Sequence, residues 1–289
     1  MRLATGVNVM VNPIADPLVE NVDSDVQSDK VLFEAVAEGA VTITINAPAK
    51  KNAFDDEIVR ALSQAFETAH GAEGVRVVFL TGAGGAFSAG ADVEWMRDAI
   101  ERTEEDNRED AMELAVMLKR LHDIPALTVA LVEGFALGGG AGLVAACDMA
   151  IACADARFGF TEVRLGLIAA TISPYVVAAL GPRRARRYFS TGEVFDAETA
   201  RHVGLVDEIV ADAASLAAAK ARLIAQMSHC SPRAIEESKR LVEEVVHRRI
   251  DHGLMSHTAH RIAAQRVSEE GQAGVRAFLD GRPPPWSES

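Results

Sequence analysis

The sequence predicts a mixed α/β core followed by a helical C-terminal third, on three observations. Short apolar runs rich in β-branched residues alternate with amphipathic stretches through the first two thirds of the chain. Two of those runs lead into glycine-rich turns, Gly82-Ala83-Gly84-Gly85-Ala86-Phe87-Ser88-Ala89-Gly90-Ala91-Asp92 and Gly138-Gly139-Gly140-Ala141-Gly142. From residue 211 onward the pattern is helical throughout. Strand, glycine turn and helix in succession make parallel right-handed crossovers the economical topology.

In chain order, residues 31–37 and 41–45 are β-branched segments joined by Glu38-Gly39-Ala40, a hairpin signature. Residues 46–54 read as loop, and Asp55 or Asp56 can cap a helix in which Ile58, Leu62, Ala65 and Phe66 recur at helical spacing. Residues 76–80 form an apolar strand. Helices are expected over 92–100 and 110–122, separated by an acidic connector, 101–109, read as a solvated lid or loop. A strand over 126–132, a bend at Glu133-Gly134-Phe135, a helix over 140–146 and a strand over 149–153 follow. One more short strand is expected at 205–210. Helices then cover 211–227, 232–246, 251–267 and 269–279. There is no tandem repeat.

With 49% hydrophobic residues over 289 positions the chain can bury a sizeable core, and 5% aromatics means that Ala, Val, Leu and Ile must build it. A net charge of −13 argues against attraction to nucleic acid or an anionic membrane. Cys147, Cys153 and Cys230 read as free, buried thiols, which fits a reducing cytoplasm. Every apolar run is broken well before the roughly 18 residues of a membrane span, and residues 1–30 carry no secretory pattern and read as a flexible extension.

Several motifs invite sharper readings. Gly82-x-Gly84 after a strand suggests a dinucleotide site, but Phe87 stands at the third glycine position. Ala86-Phe87-Ser88-Ala89-Gly90 resembles a nucleophile elbow lacking its first glycine, leaving Ser88 as a candidate hydrolase nucleophile without a recognisable histidine partner. His252 and His257 are five apart and do not share a helix face, so metal binding with His260 is disfavoured. The cluster Arg183-Arg184-x-Arg186-Arg187 suits phosphate or, equally, a solvated surface. The glycine run 138–142 places bare N–H groups at a helix N-terminus, where partial positive charge accumulates. Paired with an N–H from the 82–92 turn, it would polarise a carbonyl strongly.

Residues 41–54, 77–96, 130–148 and 158–180 together resemble the crotonase (enoyl-CoA hydratase/isomerase) superfamily, in the expected order and across most of residues 31–282. The resemblance implies a crotonase-like spiral of βαβ turns over 31–210 holding the CoA and catalytic site. It also implies a helical C-terminal oligomerisation region over 211–289, as homotrimer or hexamer. By motif position, Ala91 and Gly139 match the oxyanion-hole residues, and Glu162 of Phe158-Gly159-Phe160-Thr161-Glu162 matches the second catalytic glutamate. Without the motif Glu162 would read as a dipole-stabilised carboxylate after Thr161. Lys51, Ala53, Ala89, Ala91, Asp92, Val93 and Gly138 fall in segments that line the CoA channel. Phe278 and Arg282 stand where the C-terminus can reach a neighbouring subunit's CoA. No metal and no permanent cofactor is implied; coenzyme A enters as part of the acyl-CoA substrate.

The first glutamate of two-carboxylate hydratases falls at Gly142, which carries no proton-transferring group. A lone carboxylate suits a Δ3,Δ2-enoyl-CoA isomerase. The stretch from Phe158 through Ile168, then Thr171-Ile172-Ser173-Pro174-Tyr175, with the ending Glu270-Gly271-Gln272, instead resembles bacterial methylglutaconyl-CoA hydratases of leucine breakdown, although Ala169 departs from their usual proline. Hydration of a 2-enoyl-CoA through Glu162 is the expectation, with Arg164 a candidate anchor for a distal substrate carboxylate. Isomerase, a thioester hydrolase through Ser88 and a non-catalytic acyl-CoA binder are the alternatives. The acidic segment near residues 93–110 favours a neutral acyl chain.

Overall fold

The computed structural model describes residues 8–9, 28–36 and 39–287, so the extension expected over 1–30 lies almost wholly outside the described residues. Strands β1 (Asn8–Val9), β2 (Val31–Val36) and β3 (Ala40–Ile45) open the chain. As the hairpin signature predicts, β2 and β3 pair antiparallel, from Val31 opposite Ile45 to Val36 opposite Ala40. Helix α1 (Asp56–Gly71) is capped by Asp55, whose carboxylate accepts from the Ile58 N–H at 2.9 Å. It buries Ile58, Leu62, Ala65, Phe66 and Ala69 on one face.

Strand β4 (Val77–Gly82), helix α2 (Val93–Glu101), helix α3 (Glu104–His122) and strand β5 (Leu127–Val132) follow. The acidic connector expected over 101–109 is therefore a correction: apart from Arg102 and Thr103 it is helical. Its charge is the reason. Thr103 and Asp106 form a reciprocal capping box, and Glu104, Glu105 and Asp106 sit in the first turn, where carboxylates complement the helix dipole.

The bend read at 133–135 gives way to strand β6 (Phe135–Leu137), which runs into helix α4 (Gly139–Ala146) and strand β7 (Met149–Cys153). Strand β8 (Arg157–Gly159), helices α5 (Ser173–Leu180) and α6 (Pro182–Thr191), strand β9 (Val194–Asp196), helix α7 (Ala197–Val203) and strand β10 (Glu208–Val210) complete the core. Helices α8 (Ala213–Met227), α9 (Pro232–Val245), α10 (His252–Val267) and α11 (Glu269–Leu279) end it.

The main sheet runs β1-β2-β3-β4-β5-β7-β10, parallel except at the hairpin. A second sheet, β6-β8-β9, has β6 parallel to β8 and β8 antiparallel to β9. Alternate residues of the central strands enter two cores. Val78, Leu80, Ala130 and Val132 face α1 and its neighbours, whereas Val77, Phe79, Val129 and Leu131 meet Leu216, Ala219, Leu223 and Met227 of α8. Burial on both faces explains why these strands read as unbroken apolar runs. The cysteines are free, and burial pushes the Cys153 thiol up to about 11.

Candidate active site

Three distant segments are stitched together to make the site. Ser88 bridges Ala136 in parallel, its N–H donating to the Phe135 carbonyl and its carbonyl accepting from the Leu137 N–H, both at 3.0 Å. Ala91 bridges Phe54, with Phe54 N–H donating to the Gly90 carbonyl at 2.7 Å and Asp92 N–H donating to the Phe54 carbonyl at 2.8 Å. The two glycine turns are thus held side by side. Gly90, at φ +89°, has no room for a side chain, since a Cβ would lie 2.9 Å from the Leu137 carbonyl oxygen.

This bridge uses the N–H groups of Phe54 and Asp92 and leaves that of Ala91 outside it. Gly139 opens α4, so its N–H is one of the donors a helix start leaves without an intrahelical acceptor. Both residues line one cavity of about 420 Å³. Glu162, in the short 3₁₀ turn Glu162–Leu165 after β8, lines it too. Its Oε2 is buried with no hydrogen-bond partner among the described residues. Burial pushes its carboxyl above the ordinary carboxylate range. A Cβ on Gly138, which caps α4 at φ +51°, would lie 3.4 Å from Glu162 Oε1, so the carboxylate stands directly over the glycine turn. One donor at a helix start, one at the Phe54–Ala91 bridge and a half-buried carboxylate with a raised pKa, all lining one cavity, can hold a thioester oxygen while moving a proton beside it.

The deciding observation is the overall likeness of chain and fold. The enoyl-CoA hydratase/isomerase family model matches residues 35–289. The chain belongs to the enoyl-CoA hydratase/isomerase family. A curated relative from Thermus thermophilus, described as an enoyl-CoA hydratase, is 35% identical over 255 residues, covering 86% of this chain and 98% of its own. A Legionella pneumophila structure described as an enoyl-CoA hydratase/isomerase (crotonase) is 42% identical, with a TM-score of 0.85 over 89% of this chain and 99% of that one. An enoyl-CoA hydratase from Shewanella pealeana is 37% identical, with a TM-score of 0.84 over 93% and 98%. The crotonase fold expected from the motifs is therefore the fold observed.

Around this cavity of the enoyl-CoA hydratase/isomerase family member the other expected residues are scattered. Ala89 and Gly138 line the cavity. Ala53 is buried and Val93 exposed. Lys51 is exposed, with its ammonium 5.6 Å from the Phe135 ring centre. Asp92 caps α2 through the Glu94 and Trp95 N–H groups, at 2.8 and 3.3 Å, and pairs with Lys50 at 3.1 Å. Burial raises its pKa, but Lys50 and those N–H groups outweigh burial and hold it below the ordinary value. Phe278 is exposed, and Arg282 pairs with Asp280 at 2.7 Å; neither lines this chain's cavity.

Two expectations are corrected. Arg164 does not line the cavity; it lies against Gly192 at the end of α6, where a Cβ on that glycine would come 3.1 Å from its Cγ. The 3₁₀ turn rotates it away from Glu162's side. Ser88 is fully buried, donating to the Asn52 carbonyl at 2.8 Å and accepting from the Gly90 N–H at 3.2 Å, so its hydroxyl braces the turn. Sequence reasoning missed Asn52, whose buried amide donates to the Ala83 and Ala86 carbonyls at 2.9 and 2.6 Å. It also missed Trp95, Asn107, Asp110 and Leu114 on the cavity wall and Ile172 beside Gly142. A helical 92–122 pattern hints at the wall but not at which face meets the cavity.

Proposed function

We propose that the protein adds water across the 2,3 double bond of an enoyl-CoA thioester. The observation that carries the reading is Glu162, a buried carboxylate with an unpartnered oxygen in the cavity that also holds Ala91 and Gly139. The two N–H groups take the thioester oxygen, on which negative charge grows as water attacks C3. Glu162 orients the water and removes its proton; the same proton returns to C2, so one hydroxyl and one hydrogen are added in total. Fixed donors in a dry site lower such a barrier by several kcal/mol. The CoA portion lies along Lys51, Ala53, Ala89, Asp92 and Val93, with Phe278 and Arg282 supplied by a neighbouring copy.

A second reading, Δ3,Δ2-enoyl-CoA isomerisation through Glu162 alone, is favoured by the other side of the site. A Cβ at Gly142 would lie 2.1 Å from Ile172 Cγ2, so isoleucine fills the space that a second carboxylate would need. For the acyl group, the sequence pattern favours a methylglutaconyl type, but the cavity lining holds Asp110 and Glu162 and no lysine or arginine. That charge balance favours a neutral chain. Self-association is part of the proposal: Val242, Val246, Met255, Ile262, Val267, Val275, Phe278 and Leu279 of the last three helices and their flanks are exposed. Among the described residues no helix is long and apolar enough to cross a membrane.

The test is mass spectrometry of products from crotonyl-CoA and 3-methylglutaconyl-CoA in H₂¹⁸O, with E162Q alongside. Uptake of one ¹⁸O that is lost in E162Q is expected. Conversion of 3-enoyl-CoA to 2-enoyl-CoA without oxygen uptake on either substrate would replace hydration by isomerisation.

A further inference from the structure

The cavity holds a second orphan besides the Glu162 oxygen. Trp95, on α2, lines it, and the indole Nε1 is buried without a hydrogen-bond partner among the described residues. Nothing in the hydration steps uses this donor. Around it the α2–α3 wall is apolar, with Met96, Ala99, Ala111 and Leu114 facing the same cavity. The wall's two other polar side chains are already engaged. Asn107 donates to the Ala99 and Thr103 carbonyls, both at 3.1 Å, and Asp110 is ion-paired with Arg102, which also approaches Asp56 at 3.7 Å. Among the described residues the indole N–H is therefore the one side-chain donor on that wall without a partner. A buried donor is normally satisfied, and one left open at a ligand cavity selects ligands that bring an acceptor.

We propose that the acyl chain this protein accepts carries a neutral oxygen acceptor beyond the reacting double bond, such as a hydroxyl, ether or ketone, bound by the Trp95 indole N–H. The proposal rests on the thioester-binding reading above and names its substrate class. Acceptor chemistry follows from the indole, which only donates. Neutrality follows from the lining, where Asp110 and Glu162 are the charged side chains and a further carboxylate would meet no lysine or arginine. Position follows from the division of the site: Ala91 and Gly139 hold the carbonyl, Glu162 serves the adjacent carbons, and the apolar α2–α3 wall is left for the chain.

The experiment uses saturated acyl-CoA thioesters, which cannot be hydrated, with one methylene replaced by an ether oxygen at successive positions from C5 to C8. Dissociation constants of each oxa compound and its all-carbon parent are measured by calorimetry on the full chain. The variants are Trp95→Phe and Trp95 replaced by the isosteric benzothienylalanine, which keeps the ring shape and lacks the N–H. One oxa position is expected to bind about tenfold more tightly than its parent in the unaltered protein. That ratio is expected to fall to one or below in both variants, whatever their absolute affinities. Parents that bind with no oxa position preferred, or a preference that survives in both variants, overturn the proposal while leaving the hydratase reading intact. Failure of every thioester to bind overturns both. Oxa-selective binding without turnover of the matching enoyl compound overturns hydration and leaves the Trp95 assignment standing.

Discussion

Glu162 combines burial, an unpartnered oxygen and a raised pKa, three properties that follow from one cause, an apolar cavity with no cation in its lining. The basic form is present only above that raised pKa, so kcat/KM for hydration should climb with pH through a midpoint above the ordinary glutamate value. The E162Q variant should lose about 10²- to 10⁴-fold in kcat. A pH–rate profile with its midpoint at or below the ordinary value would remove the carboxylate from the role of base. Stability moves the other way. Because the folded pKa is raised, the native state binds more protons than the unfolded chain between the two values, so stability falls as pH rises through that window. E162Q removes the penalty and should melt higher than the parent at neutral pH, read by calorimetry. At Gly142 the argument is steric: with Ile172 Cγ2 at 2.1 Å from an added Cβ, Gly142→Ala should cost about 1–3 kcal/mol in urea denaturation. Ile172→Ala in the same chain should recover part of that loss, and additive losses would show that the two sites do not compete for the same volume.

At the scale of elements, the α2–α3 wall depends on where helix α3 begins. Thr103 accepts from the Asp106 N–H at 3.2 Å and its own N–H donates to the Asp106 carboxylate at 3.1 Å, so one residue pair closes both ends of the cap. Asn107, one residue on, ties the end of α2 to the start of α3 through the Ala99 carbonyl. Thr103→Ala should therefore cost about 1 kcal/mol and speed amide exchange in residues 104–107 more than elsewhere. Unchanged exchange there would mean that packing, not the cap, positions the wall. The sequence did announce this helix, but only over 110–122, because an acidic run with no apolar residue within it reads as solvated loop unless its cap is recognised. Strands β8 and β9 were not legible either, at three residues each. Such strands are specified by partners: Phe158 meets Phe195 in the register of β8 and β9, and their rings lie 6.1 Å apart.

For the whole molecule, the distribution of exposed apolar residues separates the last helices from the core. Helix α8 buries Leu216, Ala219, Leu223 and Met227 against the sheet, whereas α9 buries none of its residues and Phe278 of α11 is 83% exposed. Lys239 anchors α9 by donating to the Ile124 and Ala126 carbonyls at 2.7 and 2.9 Å and pairing with Asp148 at 2.6 Å; Ile235 packs against the second core, while Val242 is exposed. An apolar surface of that extent is expected to meet further copies of the chain. Sedimentation should find an oligomer whose mass falls when Ile250→Glu, on the exposed residue just before α10, and Met255→Glu are introduced together. A monomeric parent protein would remove the proposed role of Phe278 and Arg282 at a neighbour's CoA.

The sequence by itself determined the βαβ succession, the two glycine turns and the carboxylate at Glu162, because each is encoded locally, in periodicity, in residues that must lack a side chain, or in a short motif. The crotonase-type order of those motifs was legible for the same reason. Only the tertiary structure decided that Ser88 braces a turn, that Arg164 points away, that Ile172 fills the space beside Gly142, and that Trp95 leaves an unpartnered indole N–H at the cavity wall. Each of these depends on which residue from a distant part of the chain arrives at a given face. That is set by packing across strands and helices, and no local pattern carries it.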